Sequence, residues 1–423
     1  MTEHPVQNPT DKFVAMRNHP PEEAKFFWNG GPVEVGERTW FSSLLSGVTA
    51  FETDEGLVLV DTGTAAFGPH LAKEIREATT APVHTAIYTH GHVDHAFGLG
   101  AFLLEGQAAP RVIGHRAMPA RFERYTRTAS HNRSLNARQF GGAVDAAETV
   151  DFAAPAIPPD TLYDDELSIV VGGVTFELFH ARGETDDHTW VYCPDRGVLC
   201  PGDLIIWGVP NAGNPQKVQR YPWDWAAALR AMASKQPRSL APGHGGPVVD
   251  DAPLVQRILL ETADLLESIV ERTVAVLEVG SPPHVDVVRR VELPNSDSPW
   301  LQPVYDEAEF IVRNVIRFFG GWYSGRPSEL KPAPRGEVAS AIAGMAGGAG
   351  ALVAEAGRVA DGGDLALACH LADFALESSP EDADVQSGVA EIYERRAEAE
   401  TSLMAINLFR SAAAYARAGR PYV

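Results

Sequence analysis

The chain has 423 residues, 45% of them hydrophobic, and a formal net charge of −21 at pH 7; this predicts a globular protein of two domains with substantial cores. The acidic balance excludes nucleic acid and anionic membrane surfaces as expected partners, because both select basic patches. Three cysteines without a CxxC pair, no basic and apolar leader segment, and no run of about eighteen apolar residues lead us to expect a cytoplasmic protein without a membrane span.

The first part of the chain alternates strand patterns with helical patterns. Residues 1–35 are polar and rich in proline, and we expect an N-terminal arm there. Apolar runs bounded by glycine and aspartate at residues 40–63 and 83–90, and again across residues 161–202, predict short strands. Helical patterns lie between them, so residues 36–250 are predicted to form an α/β domain.

A different pattern begins after about residue 250. Residues 254–280 have the apolar spacing of a long amphipathic helix that ends at Gly280. A second helical pattern ends at Gly320, and residues 338–419 are rich in alanine with helical spacing. We therefore predict an all-α domain over residues 251–423, whose alanine-rich part serves interaction or dimerisation rather than chemistry.

The segment Thr89-His90-Gly91-His92-Val93-Asp94-His95 carries the strongest functional information. Three imidazoles and one carboxylate lie within six consecutive positions, directly after a predicted buried strand. Such side chains are costly to bury without partners, so packing explains them poorly. Imidazole nitrogen and carboxylate oxygen bind divalent metals such as zinc, and the spacing predicts ligands for two adjacent ions.

Three further candidate ligands follow, each after a predicted strand. Glu184 lies in the sequence HARGET, Asp203 in PGD and His244 in PGHGG. Each alone is typical of a helix cap or a solvated loop residue. Their order behind the histidine-rich segment is what points to a shared metal site.

Together with Val-Asp-Thr-Gly at residues 60–63, these motifs resemble those of the metallo-β-lactamase superfamily. The resemblance implies an αββα sandwich. The superfamily usually has histidine where Glu184 stands; a glutamate there, and the sequence GGWYSGRPSELKPAP at residues 320–334, are similar to the alkylsulfatase group. That likeness implies a helical dimerisation domain after the sandwich and a homodimer formed through it.

The resemblance also implies roles for individual residues. The implied ligands are, for one metal, His90, His92 and Glu184; for the other, Asp94, His95 and His244; and, bridging both, Asp203 beside a hydroxide. Zinc is the first expectation, and manganese or iron are alternatives that three carboxylates also suit. Asp61 is expected to orient a ligand, and Asp94 and Asp203 are the acids expected at the reacting centre. Three carboxylates and a hydroxide formally cancel two divalent charges, so an anionic substrate needs a nearby arginine or lysine.

The sequence departs from the alkylsulfatase pattern around the expected pocket. The Leu-Arg-Gly segment of that group is missing, and Lys217 or Arg220 is the basic residue expected to take its place. A His-Asn pair that carries the proposed proton donor of the group is replaced by Arg-Asn, so Arg313 or Tyr305 is expected to assist the leaving group. The remaining candidates for substrate contacts are Asn136, in a donor-rich segment interpreted as a loop, and Asn211.

The leading interpretation is a dinuclear metal-dependent hydrolase that uses a metal-bridging hydroxide on a small-molecule ester, an alkyl sulfate by resemblance. A lactone or amide hydrolase is the first alternative. An iron-dependent oxidoreductase of the same fold is the second, and His92 argues against it because flavo-diiron members have glutamate there. A pure scaffold is the third, and it predicts no bound metal.

Overall fold

The computed structural model describes residues 30–140, 157–280 and 282–420. Its first sheet has seven strands in sequential order. Strands β1 to β4 pair antiparallel, whereas β4 to β7 pair parallel. The strands are β1 (Gly30–Gly36), β2 (Thr39–Ser43), β3 (Gly47–Thr53), β4 (Gly56–Val60), β5 (Val83–Ile87), β6 (Arg111–His115) and β7 (Thr161–Tyr163).

The second sheet has five strands in the order β12-β11-β10-β9-β8. All neighbours pair antiparallel except β11 and β12, which run parallel. The strands are β8 (Glu166–Val171), β9 (Val174–His180), β10 (Thr189–Cys193), β11 (Val198–Gly202) and β12 (Ser239–Pro242). The parallel pairs in both sheets direct several carboxyl ends toward common edges, where loops can bring distant residues together.

Apolar side chains fill the space between the two sheets. Phe51, Val58 and Ile87 of the first sheet pack with Phe176 and Val191 of the second, and all five are buried. The outer faces bury further apolar side chains against helices. The helices of this part are α1 (Gly68–Ala78), α2 (Val93–Ala96), α3 (Met118–Arg127), α4 (Ala129–Gln139), α5 (Pro222–Ser234) and α6 (Ala252–Glu278). The predicted αββα sandwich is confirmed.

Helices alone make up the rest of the described chain. They are α7 (His284–Arg290), α8 (Ala308–Phe319), α9 (Arg335–Ala346), α10 (Ala349–Asp361), α11 (Leu365–Ser378), α12 (Ala383–Glu398) and α13 (Leu403–Arg417). Small side chains such as Ala356, Ala368 and Ala372 are fully buried between α10, α11 and their neighbours, which lets the helices approach closely. The predicted all-α region after the sandwich is confirmed, but its first predicted helix, α6, packs against α5 of the sandwich.

No single helix in the described part of the chain is long and apolar enough to cross a membrane. The bent pair α9 and α10 together has the length and composition of a membrane span, and nothing further supports that role.

One local expectation is wrong. The segment around Asn136, interpreted as a loop, forms helix α4. Asparagine and serine are weak helix formers, but tertiary contacts override that preference. The side chain of Asn407 in α13 donates to the backbone oxygen of Gln139 at 3.0 Å, which secures the end of α4. Of the expected N-terminal arm, residues 1–29 lie outside the described residues, and the rest belongs to β1.

Candidate metal centre

The seven predicted ligands lie in four loops that follow or connect strands. His90, His92, Asp94 and His95 occupy the turn and short helix α2 after β5. Glu184 lies between β9 and β10, Asp203 directly follows β11, and His244 follows β12. The structure brings all seven together in two adjoining groups, within each of which the ligand atoms lie no more than 4.8 Å apart.

The first group contains His90, His92, Glu184 and Asp203. His90 Nε2 lies 2.7 Å from His92 Nδ1, 3.4 Å from Glu184 Oε2 and 3.7 Å from Asp203 Oδ2. Glu184 Oε2 is also 3.5 Å from His92 Nδ1. Four ligand atoms thus face one small volume, which suits a four-coordinate divalent ion.

The second group contains Asp94, His95 and His244, and Asp203 joins it to the first. Asp203 Oδ1 lies 3.0 Å from His95 Nε2 and 3.3 Å from His244 Nε2. Asp94 Oδ2 lies 3.7 Å from His95 Nε2 and 3.5 Å from His244 Nε2. The two oxygens of Asp203 therefore face different groups, as they do in a carboxylate that bridges two metal ions through both oxygens.

Hydrogen bonds fix the orientation of three imidazoles from behind. The Nδ1 atoms of His90, His95 and His244 lie 3.0 Å from Thr89 Oγ1, 2.8 Å from Asp61 Oδ2 and 2.6 Å from the Leu45 carbonyl oxygen, respectively. Each of these rings therefore turns its Nε2 atom toward the centre. Partners of this kind orient metal ligands and raise their basicity.

Burial and the nearby carboxylates set the pKa values of the imidazoles. Burial lowers the pKa of His90 and His92 well below the ordinary value, so both rings are neutral and offer lone pairs. Burial also acts to lower the pKa of His95, but Asp203 and Asp61 outweigh it and raise that pKa well above the ordinary value. His244 and His95 in turn overcome burial and hold the pKa of Asp203 well below the usual range.

Several buried polar atoms aimed at the centre lack a hydrogen-bond partner. They are Glu184 Oε2, and also His95 Nε2 and Asp203 Oδ1, which lie 3.0 Å apart but without the geometry of a hydrogen bond. Buried polar atoms are nearly always satisfied, and all three belong to groups that bind divalent cations. The donor set therefore fits divalent metal ions better than it fits a closed hydrogen-bond network.

A buried ion pair supports the histidine-rich turn, and sequence reasoning missed it. The backbone N–H of Gly91 donates to Asp187 Oδ2 at 2.9 Å, and Arg121 donates to the other oxygen of Asp187 at 2.8 Å. Arg121 comes from α3, far from the turn in sequence. The only sequence signal was the Asp-Asp pair after Glu184, a pattern that is common on protein surfaces.

Two predicted substrate residues contact a ligand instead. Asn211 Nδ2 donates to Glu184 Oε1 at 2.7 Å, and Arg220 forms an ion pair with the same oxygen. Lys217 is partly buried. Burial lowers its pKa to about 8, although the charge of Asp94 acts to raise it. Asn136 lies on α4, and the structure records no contact of its side chain with the described ligands.

The two predicted proton donors have different positions. The charges of Asp94 and Arg220 both act on the pKa of Tyr305. The Tyr305 hydroxyl accepts a hydrogen bond from the side chain of Gln139 at the end of α4. Burial raises its pKa, so the phenol stays protonated. Arg313 lies at the surface with 51% of its side chain exposed and pairs with Glu309 at 2.8 Å. The structure therefore does not bring Arg313 to the metal ligands, because its helix turns the buried neighbour Asn314 inward.

Comparison with known families defines the class of protein. The metallo-beta-lactamase superfamily model matches residues 46–244, and the alkyl sulfatase dimerisation model matches residues 284–419. Residues 46–244 are therefore similar to the metallo-β-lactamase superfamily. The second model and the relatives below are those of alkylsulfatases.

Two curated relatives illustrate the likeness. A linear primary-alkylsulfatase of Pseudomonas sp. is 26% identical over 78% of this chain and 66% of its own length. An (R)-specific secondary-alkylsulfatase of Pseudomonas sp. is 24% identical over 88% of this chain and 60% of its own length. The chain thus spans about two thirds, or less, of the length of these relatives.

A solved structure shares the fold of both regions. The stereoselective inverting sec-alkylsulfatase Pisa1 from Pseudomonas sp. superposes with a TM-score of 0.81 at 22% identity, covering 93% of this chain and 66% of that one. The sandwich and the following helices therefore have a common arrangement in the two proteins.

Proposed function

We propose that the chain is a dinuclear metal-dependent hydrolase of sulfuric esters whose substrates are alkyl sulfates. The observation that carries the proposal is the position of Asp203, whose two oxygens face the two adjoining groups of ligands. The names of the relatives supply the substrate class. His90, His92 and Glu184 would hold one ion, Asp94, His95 and His244 would hold the other, and Asp203 would be shared by both.

The residues around the metal centre would each have a separate role in the reaction. When bound, a pair of divalent ions lowers the pKa of water to about 7 and supplies a nucleophile at neutral pH. His90 and His92 stay neutral and available as ligands because burial lowers their pKa. Lys217, whose pKa of about 8 leaves it largely charged at neutral pH, would hold the anionic sulfate group. Tyr305 keeps its proton and would donate it to the leaving oxygen.

Zinc is the metal we propose first, because four nearby ligands that include imidazoles suit it, with manganese or iron as the alternatives. We also propose that the protein works in a reducing, cytoplasmic setting. The three free cysteines support this proposal, since disulfides are usual in oxidising compartments.

The proposed reaction is tested with purified protein and a panel of esters. We expect sulfate release from a primary alkyl sulfate, loss of that activity after chelation, and recovery with added zinc. His92→Ala should lower turnover by at least about 10- to 100-fold without unfolding the protein, since His92 is partly exposed. Hydrolysis of a lactone or a β-lactam, but of no sulfate ester, would contradict the proposed substrate class. A redox-active iron spectrum without hydrolysis would contradict the reaction type.

We further propose that a second copy of the chain covers an apolar surface on the helical region. Phe319, Trp322, Leu330 and Met345 are exposed, with 74% of Trp322 and 82% of Met345 accessible. Contiguous exposed apolar patches mark interaction sites, and these four side chains all belong to the helical region. The alkyl sulfatase dimerisation model covers all four residues, and this supports a homodimer as the occupant.

Trp322→Asp is expected to convert a dimer into a monomer, because a buried unpaired charge opposes association. Light scattering at several concentrations measures the change. Val170→Asp is the matched control, because Val170 is also largely exposed, at 66%, but lies on the sandwich. A wild-type monomer, or a Trp322→Asp protein that stays dimeric, would contradict this interface.

A further inference from the structure

The two oxygens of Glu184 have different surroundings. Oε1 accepts a hydrogen bond from Asn211 Nδ2 at 2.7 Å and pairs with the Arg220 guanidinium. Oε2 has no hydrogen-bond partner and faces His90 Nε2 at 3.4 Å and His92 Nδ1 at 3.5 Å. The protein therefore holds Oε1 in place, whereas Oε2 is left to bind a metal ion.

Arg220 is fixed in place on both its backbone and its side chain. Its carbonyl oxygen accepts from Asn314 Nδ2 at 2.9 Å, and only 3% of its side chain is exposed. An arginine guanidinium is always charged near neutral pH. A buried charge of this kind is stable only beside an opposite charge.

The other acid that acts on Arg220 is Asp306. Its two oxygens already accept the backbone N–H groups of Gly213 at 2.7 Å and Glu307 at 2.8 Å. Glu184 is the acid that forms an ion pair with Arg220 in the described structure.

We propose that Arg220 and Asn211 are positioning residues that make Glu184 a charge-compensated ligand bound through one oxygen only. The inference rests on the proposed metal-dependent function. The Glu184–Arg220 pair is formally neutral, as a histidine would be in the same place. Arg220 therefore adds one positive charge to a site that otherwise carries the charges of the metals, the carboxylates and the hydroxide. This additional charge favours an anionic substrate.

Metal binding tests the inference independently of turnover. Zinc is titrated calorimetrically into the metal-free protein, for the wild type, Arg220→Gln, Glu184→His and the double variant. We expect Arg220→Gln to weaken zinc binding about 10- to 100-fold, the usual effect of removing a partner of a metal ligand. Glu184→His should also weaken binding, because Arg220 is left buried and unpaired beside a neutral ring. The double variant should bind zinc at least about tenfold more tightly than Glu184→His alone.

Arg182→Gln is the matched control. Arg182 is two residues from Glu184, but it is 48% exposed and pairs with Asp224, so zinc binding should be unchanged. A merely structural role for Arg220 would make the double variant worse than Glu184→His, and this result would overturn the inference. Arg220→Gln with wild-type zinc affinity and a raised KM would also overturn it, by making Arg220 a substrate residue.

The outcomes separate the inference from the proposed function. Wild-type protein that binds no zinc, manganese or iron contradicts the function and the inference together. Metal binding in the wild type that is insensitive to Arg220 contradicts the inference alone. If Arg220→Gln fails to fold, Asn211→Ala decides, because it removes the other contact to Oε1 and should weaken zinc binding in the same way.

Discussion

Asp203→Asn is expected to abolish tight binding of both metal ions and to lower turnover by more than about 100-fold. Loss of a residue that only contacts a metal ligand already lowers activity by up to about 100-fold, and Asp203 is a predicted ligand itself. Asparagine keeps the size of the side chain but removes the charge that His95 and His244 face at 3.0 and 3.3 Å. It also replaces one of two oxygens by a donor, so one of the two groups must lose its ligand atom.

Calorimetric titration and sulfate release measure the two effects. Asp195→Asn is the matched control, since Asp195 is exposed on the sandwich and its carboxylate accepts only the backbone N–H of Thr175 in the described structure. A variant at Asp203 that still binds two equivalents of metal with wild-type affinity would contradict the bridging role.

Gly243→Ala is expected to destabilise the protein by about 1–3 kcal/mol and to weaken metal binding. A Cβ atom on Gly243 would overlap Asp203 Oδ1 and would lie 2.6 Å from the carbonyl carbon of Gly202. The backbone has little room to yield, because Gly243 N–H contacts the carbonyl oxygens of Gly202 and Ile205 at 3.0 and 3.1 Å. The added methyl group must therefore displace Asp203 or separate the two loops.

Chemical denaturation of the metal-free protein measures the first effect of Gly243→Ala, and zinc titration measures the second. Gly100→Ala is the control, because a Cβ atom there meets nothing within 4 Å. Equal stability and equal zinc affinity in the two variants would show that the close approach of Gly243 to Asp203 has no energetic role.

Local patterns in the sequence predict part of the site. The histidine-rich turn follows a buried strand, so four of the seven ligands could be identified within six positions. Glu184, Asp203 and His244 lie in short motifs that are individually common, and only their order made them candidates. The sandwich followed by helices was predictable for a similar reason, since strand and helix periods are local properties.

Contacts between distant segments account for what the sequence could not predict. The sequence predicts a substrate contact for Arg220, because nothing near it in sequence reveals Glu184 as its partner. The sequence also predicts a loop in place of α4, because Asn407, which secures the end of this helix, comes more than 250 residues later. Arg313 is expected at the site because it replaces a family residue, whereas its position on its helix places it at the surface.

The link between Asn407 and Gln139 also ties the helical region to the candidate site. Gln139 bonds to the hydroxyl of Tyr305, and the backbone N–H of Met404 in α13 donates to the Tyr305 carbonyl oxygen at 3.2 Å. The last helix thus holds Tyr305 and the end of α4 in place, in addition to any role in dimerisation.

The central claim is that two adjoining groups of side chains, sharing Asp203, hold two metal ions. Anomalous diffraction at the zinc absorption edge, from crystals of the zinc-loaded protein, tests it most directly. We predict two peaks, one among His90, His92 and Glu184 and the other among Asp94, His95 and His244. A single peak, or peaks away from these side chains, would contradict the claim.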